Sequence, residues 1–549
     1  MQHRWWPSLA AVFAVLFAAA GLAGAGLEPA WAQRAAPAGG GASVPQYGGT
    51  FVKSLNYGDP GSLDPIVKNE VAALMVVMNL FDRLVKVDPV TGQIEPMLAE
   101  RWTISDDGLT YTFYLRDDAK FHNGRPITAE DVKYTLERLS HPANASPRIN
   151  LLVGVAGLEE FQAGLAGEIV GLQVVSPYEF VIRLKEPKPT LLHDVGDPMA
   201  GIVPREEVER LGFDFGRRPV GSGPFKFVSW RSDDEIVLEA NLDYWAGRPY
   251  LDRVVFRIMR EEATRDAEFM AGNLDAMTIG EAQYARYSRD PFWSQHLIEV
   301  PELFTRALFL NNRVPPLDNV LVRQALNYAI EKRLIVERVL SNKAYPATGP
   351  LQSSSPAFNP DLVGYPYDPE RARALLRQAG YPNGFELEVL ATASGSVVVE
   401  ALMGFLADIG VNVRIVRLES TTLFERVRAG DYMAAYYSTG GELDPISFLA
   451  ARLHTRNHGA AGNSTWYANP EVDRLLDEAL RTTDPARRIE LARRVEEIVV
   501  ADAPWVFLNY NKAVMMHQPW VHGLQPVPTD IDFQDLSKVW IDTNMRRSR

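Results

Sequence analysis

The chain is expected to fold as a multi-layered α/β or α+β protein of two or three domains. Three observations lead there. Its 549 residues exceed what one ordinary core holds. Its apolar fraction of 46% and charged fraction of 23% are those of a globular protein. Strand-like and helix-like segments are mixed along the whole chain after the N-terminus, which calls for layered packing.

The elements follow in order. Thr50–Leu55 comes after Gly48-Gly49 and reads as an opening strand. Thr110–Leu115 alternates apolar and polar residues after a turn at Asp106-Asp107-Gly108, so it reads as another. Phe121-His122-Asn123-Gly124 reads as a hairpin turn, and Thr128 with Asp131 three residues on forms a capping box. Val132, Thr135, Leu136 and Leu139 then make a buried helical stripe. Ile236–Ala240 and Val254–Ile258 are two further strands. Asp368-Pro369, Asn469-Pro470 and Asp484-Pro485 each set a capping side chain before a proline at the first helical position, where its missing N–H costs nothing. No repeat of fixed period appears.

The N-terminus has the three regions of a secretory signal: Arg4, the apolar run Leu9–Leu22, and Ala30-Trp31-Ala32 as a cleavage site. Residues 1–32 are therefore expected to be removed, and 33–45 to form a flexible linker. With no cysteine in the chain, neither a disulfide framework nor a lipoprotein anchor is available. A net charge of −13 argues against nucleic acid and anionic membrane as partners.

A search for catalysis returns little. No metalloprotease, nucleophile-elbow or phosphate-loop motif is present, and cysteine chemistry is excluded. His454 and His458 have metal-compatible spacing but sit in a glycine-rich polar stretch that reads as a solvated loop, so no metal or cofactor is expected. Asp106-Asp107, Asp117-Asp118 and Asp233-Asp234 are turn residues. Tyr436-Tyr437 before Ser438-Thr439-Gly440-Gly441 combines ring faces, hydroxyls and close backbone approach, as a ligand cleft requires.

Ordered segments then accumulate. They include Ser62-Leu63-Asp64-Pro65, Pro96–Trp102, Thr110–Val132, Gly221-Ser222-Gly223-Pro224-Phe225, Asn241–Trp245, Gly272-Asn273-Leu274-Asp275, Val322–Ile330 and Asp444-Pro445. Together they make the mature chain resemble the oligopeptide/dipeptide/nickel-type periplasmic solute-binding proteins, family 5. The resemblance implies a two-lobed periplasmic-binding-protein-like α/β fold with an extra inserted domain and a ligand cleft between the lobes. It implies a first lobe from 46–87, 181–302 and 512–549, an inserted domain over 88–180, and a second lobe over 303–511. It further implies a monomeric, soluble periplasmic receptor, not an enzyme, which binds a peptide-like or other small polar ligand and delivers it to ABC importer permease subunits. The alternatives are a ligand-presenting receptor or chaperone for sensing, or capture of a chelated metal of the nickel type.

Carried over by position, the resemblance places Asn69, Glu70, Val71, Arg148, Thr278 and Ile279 at the cleft from one side. From the other it places Ser394, Tyr437, Ser438, Thr439, Gly440, Gly441, Glu442, Tyr510 and Asn511. One departure stands out. Peptide-binding members hold the ligand's α-amino group with an aspartate, and counting back from Asp444-Pro445 puts Gly441 there, with Glu442 adjacent. On that count ordinary free-amine peptides bind weakly, and Gly441→Asp restores them, unless Glu442 is itself the anchor.

Overall fold

The structure is a computed structural model that describes residues 44–67 and 70–547. Asn69, the signal segment and nearly all of the linker lie outside the described residues. An eleven-stranded sheet runs through the molecule. From one edge its order is Val411–Arg417, Phe385–Ala391, Ala434–Gly440, Leu297–Leu310, Trp505–His517, Ala276–Thr278, Thr50–Leu55, Arg253–Ile258, Glu235–Ala240 and Phe225–Arg231, with Ala344–Pro346 also paired to Trp505–His517.

Two long strands make this sheet continuous across both lobes. Leu297–Pro301 lies opposite Met516–Lys512, and Thr305–Phe309 lies opposite Tyr510–Trp505. The register shifts between Pro301 and Thr305, so the ladder is broken there. Below the break, Thr278 and Met277 pair with Met515 and Met516; above it, Phe304–Leu310 pairs with Gly440–Ala434. Each half has its own core. Phe51, Phe225, Phe256, Val300 and Met515 belong to one. Leu308, Leu326, Val389, Leu402 and Val506 belong to another. A third, with Phe309, Leu449, Val495 and Trp505, backs the second lobe. Two cores joined by two strands with an interrupted ladder have the geometry expected of a hinge segment.

A four-stranded antiparallel sheet, Ala99–Ile104, Thr110–Leu115, Glu179–Arg183 and Leu172–Ser176, forms the inserted unit. Helix Ala129–Ser140 packs on it, and the Thr128–Asp131 capping box forms. Strand Glu179–Arg183 crosses the edge expected at 180, and the unit's core reaches from Ile66 to Ile202, well beyond 88–180.

Local chemistry explains the fixed points. Asp368, Asn469 and Asp484 cap their helices as their spacing predicts. Gly221 and Gly223 cross the backbone of Leu80 so closely that a Cβ would lie 2.0 Å from the Leu80 carbonyl oxygen and 2.7 Å from its carbon, respectively. Asp275 is buried and accepts from the Val52 N–H at 2.8 Å and the Trp520 indole at 2.7 Å. The stretch expected as a solvated loop is not one. His454 is buried and its Nε2 lies 3.2 Å from Asp477, while Asn463 is fully buried and donates to the carbonyls of His454 and Tyr467. A carboxylate satisfies His454 and main-chain carbonyls satisfy Asn463, which is why a polar, glycine-rich stretch packs inside.

Candidate functional site

A cavity of about 790 Å³ opens between the first lobe with its inserted unit and the turn that follows strand Ala434–Gly440. That size is typical of small-molecule sites. The second lobe supplies Gly440, Gly441, Glu442, Leu443, Asp444 and Ser447.

The turn is tied to the hinge. The Gly441 N–H donates to the Leu303 carbonyl at 2.7 Å. Gly440 has φ +145°, and a Cβ there would meet the Leu303 oxygen at 1.9 Å. Gly441 has φ +98°, and its Cβ would lie 3.0 Å from the Phe304 ring. Both glycines are demanded by the backbone path. The missing side chain at 441 therefore reflects how the turn crosses the hinge strand, and an aspartate cannot simply be restored there.

Glu442 is the next residue. Its Oε1 accepts from Arg452 Nη2 at 3.0 Å, and Arg452 Nε also donates to Thr439 Oγ1 at 2.6 Å. The other carboxylate oxygen, Oε2, is buried without a partner. Asp444 has no such capacity left: it caps helix Pro445–Leu453 through the Ser447 N–H at 2.9 Å and pairs with Arg488 at 2.6 Å.

The facing wall mixes cations, carboxylates and one histidine. Arg83, Lys86, Arg148, His193 and Lys538 line it together with Asp194, Asp197 and Asp535. Lys86 pairs with Asp535 at 2.7 Å, and Arg148 lies 3.5 Å from Asp197 while half exposed. Arg83 is buried, which lowers its pKa; the neighbouring Asp82 carboxylate opposes that, and Arg83 Nε has no partner. His193 Nδ1 is also buried and unpartnered. Behind them, burial pushes the Asp82 carboxyl up to about 6, moderated by bonds from the Trp245 indole at 3.0 Å and the Tyr244 hydroxyl at 2.8 Å.

Of the residues expected at a ligand, Arg148, Gly440, Gly441 and Glu442 converge on this cavity. Tyr437, Ser438 and Thr439, again with Gly440, line a second one of about 370 Å³ inside the second lobe. The remaining described ones line neither. Glu70 is exposed at the N-terminus of helix Val71–Leu80, and Val71 opens that helix. Thr278 donates to Asp532 at 2.6 Å, beside the buried Lys53–Asp532 ion pair, and Ile279 is core. Ser394 is exposed on helix Ala393–Ala407. The Tyr510 hydroxyl is engaged by Gly349 and Thr348, and Asn511 accepts from Asn509 at 2.7 Å. Sequence reasoning missed Arg83, Lys86, His193 and Lys538, which come from three separate segments and carry no local motif.

The sequence pattern of the bacterial extracellular solute-binding proteins, family 5, matches residues 93–460. The chain belongs to this family. It is 34% identical to heme-binding protein A of Haemophilus influenzae over 475 residues, covering 82% of this chain and 85% of that protein. It is 30% identical to the glutathione-binding protein GsiB of Salmonella typhimurium over 489 residues, covering 86% and 92%. Among solved structures, HbpA2 of Haemophilus parasuis superposes with a TM-score of 0.78 at 28% identity, covering 90% of this chain and all of that one. The periplasmic binding protein DppA of Helicobacter pylori, in complex with the peptide STSA, gives 0.72 at 28%, covering 91% and 99%. This family 5 chain is thus a two-lobed solute-binding protein for peptides or related ligands of an ABC importer. No helix among the described residues is long and apolar enough to cross a membrane, and no cluster of three or more His, Asp or Glu among them is arranged to hold a metal ion.

Proposed function

We propose that this family 5 protein captures a peptide-like ligand bearing an ammonium at one end and a carboxylate at the other. The observation that carries the reading is the buried, unpartnered Oε2 of Glu442 on the second-lobe wall of the cleft. A buried carboxylate oxygen without a partner is costly, and a ligand ammonium supplies the missing donor. Arg148 and the unpartnered Arg83 nitrogen across the cavity suit a carboxylate. The likeness to a glutathione-binding protein supports this class, since glutathione carries both groups.

The same reading has the chain exported by its N-terminal segment, acting without a lipid anchor as a periplasmic monomer that delivers ligand to permease subunits. The division into a discontinuous first lobe, an inserted domain and a second lobe supports capture by hinge closure. The test is calorimetry with glutathione as probe. Wild type should bind it, and Glu442→Gln should weaken binding by about tenfold or more, as expected for losing one charged hydrogen bond of roughly 1.5–3 kcal/mol. Equal affinity in the two proteins would remove Glu442 as the anchor.

A further inference from the structure

The second cavity is not accounted for by an ammonium–carboxylate ligand. It lies inside the second lobe, and Gly440 lines both it and the cleft. Its partition from the cleft includes Thr439 and Arg452, whose guanidinium reaches Glu442 on the cleft side. The walls are aromatic. Phe309 and Tyr437 stack with centroids 3.8 Å apart and planes 15° apart, Phe424 meets Tyr437 edge-on at 5.5 Å, and Trp505 packs on Phe309 at 4.8 Å. The floor is open because Gly459 and Gly462 contribute no side chains to it.

The charged groups are of one sign. Two arginines, Arg428 and Arg452, line the chamber, and no carboxylate does. Arg428 is exposed and pairs with no carboxylate among the described residues. Trp505 is 1% exposed, and its indole N–H is buried without an acceptor. The Tyr437 and Ser464 hydroxyls bond each other at 2.7 Å. A buried donor left unpaired beside a cavity is available to a ligand acceptor that the cavity admits. Ring faces set beside cations fit a flat π-system carrying negative charge or an electronegative atom. The volume, about 370 Å³, is more than twice the roughly 150 Å³ cavity that accepts benzene.

We infer that this chamber is a second recognition pocket for a flat aromatic or heteroaromatic group bearing an acceptor or an anion, attached to the peptide-like ligand in the cleft. The attachment rests on the reading of the cleft given above; the chamber's own chemistry does not. The favoured substrate is then an aromatic conjugate of a small peptide, entering past Gly440.

Two probes separate the claims. The first is 4-nitrobenzoate, which has a flat ring and acceptors but no ammonium for Glu442. The second is S-(4-nitrobenzyl)glutathione, compared with glutathione. Wild type should bind 4-nitrobenzoate saturably by calorimetry. Ala460→Phe, at an exposed position of the chamber rim, should abolish that binding and lower the conjugate-to-glutathione affinity ratio about tenfold. Trp505→Phe, which keeps a ring but removes the N–H, should weaken both nitro probes about fivefold, as for one neutral hydrogen bond. Saturable 4-nitrobenzoate binding alongside no binding of glutathione would uphold the chamber and sink the cleft reading instead. No binding of 4-nitrobenzoate, or binding that Ala460→Phe leaves intact, overturns the inference.

Discussion

Gly441→Asp should destabilise the protein and should not create a peptide-amine site. Two costs add. At φ +98° a residue with a Cβ sits in a region reserved for glycine, which costs roughly 1–3 kcal/mol. The new Cβ also lies 3.0 Å from the Phe304 ring, tighter than ordinary contact. The Phe304 ring must shift by a few tenths of an ångström to admit it. The Gly441 N–H bond to Leu303 is put at risk as well. We expect a loss of about 2–4 kcal/mol, the strain joined by an overpacking cost of about 1 kcal/mol or more. Urea titration followed by far-ultraviolet dichroism measures it, and calorimetry with a pool of di- to pentapeptides measures function. The reasoning fails if the variant keeps the wild-type urea midpoint and gains peptide affinity, because the turn would then have room for a side chain.

Glu496 is fully buried in the second lobe, with Oε1 accepting from the Leu351 N–H at 3.1 Å and Oε2 unpartnered. Burial pushes its carboxyl from the ordinary 4.5 to about 8. Below pH 4.5 it is protonated in both folded and unfolded chains and contributes nothing; as pH rises toward 8 only the unfolded chain ionises, so stability falls. At about 1.4 kcal/mol per pH unit the loss approaches roughly 5 kcal/mol. Glu496→Gln should match wild type near pH 4 and exceed it by several kcal/mol at pH 8, and parallel urea midpoints across that range would contradict this. Gly221→Ala places a Cβ 2.0 Å from the Leu80 oxygen, so its melting temperature should fall by several degrees, as for a loss of about 2–3 kcal/mol; an unchanged melt would mean the segment shifts freely. A thermal-shift screen should rank ammonium-and-carboxylate peptides above neutral sugars, with stabilisation of about 2.7 kcal/mol at a hundredfold excess over Kd; a best hit lacking an ammonium would count against Glu442.

What was legible in the sequence was local. The caps at Asp368, Asn469 and Asp484 and the stripe Val132, Thr135, Leu136 and Leu139 follow from nearest neighbours, and the structure forms them. The hinge was not legible. Its two strands are about two hundred residues apart, and their broken register is a property of pairing that neither strand encodes alone. The site was half legible. Glu442 and Gly441 were visible as rivals for one role, and the path of the turn against Leu303 and Phe304 shows only why position 441 is a glycine. The glycine-rich stretch around Gly459 reads as solvated because polarity and glycine correlate with surface loops; its amides instead find carbonyls inside, and the space its glycines leave becomes the chamber floor.

On the proposed function, the distribution of unpartnered atoms gives capture a way to drive closure. On the second-lobe wall Asp444 and Arg452 are engaged within their own lobe, and Glu442 keeps one free acceptor. On the opposite wall Arg83 and His193 keep free ring or guanidinium nitrogens. The open groups differ in kind from wall to wall, so neither wall alone satisfies both ends of an ammonium–carboxylate ligand. Only an arrangement with both walls on the ligand pairs them all. That is the differential contact a ligand must make to shift a two-state equilibrium, since a ligand that binds both states equally shifts nothing. The break between Pro301 and Thr305 is where the chain can bend to reach it.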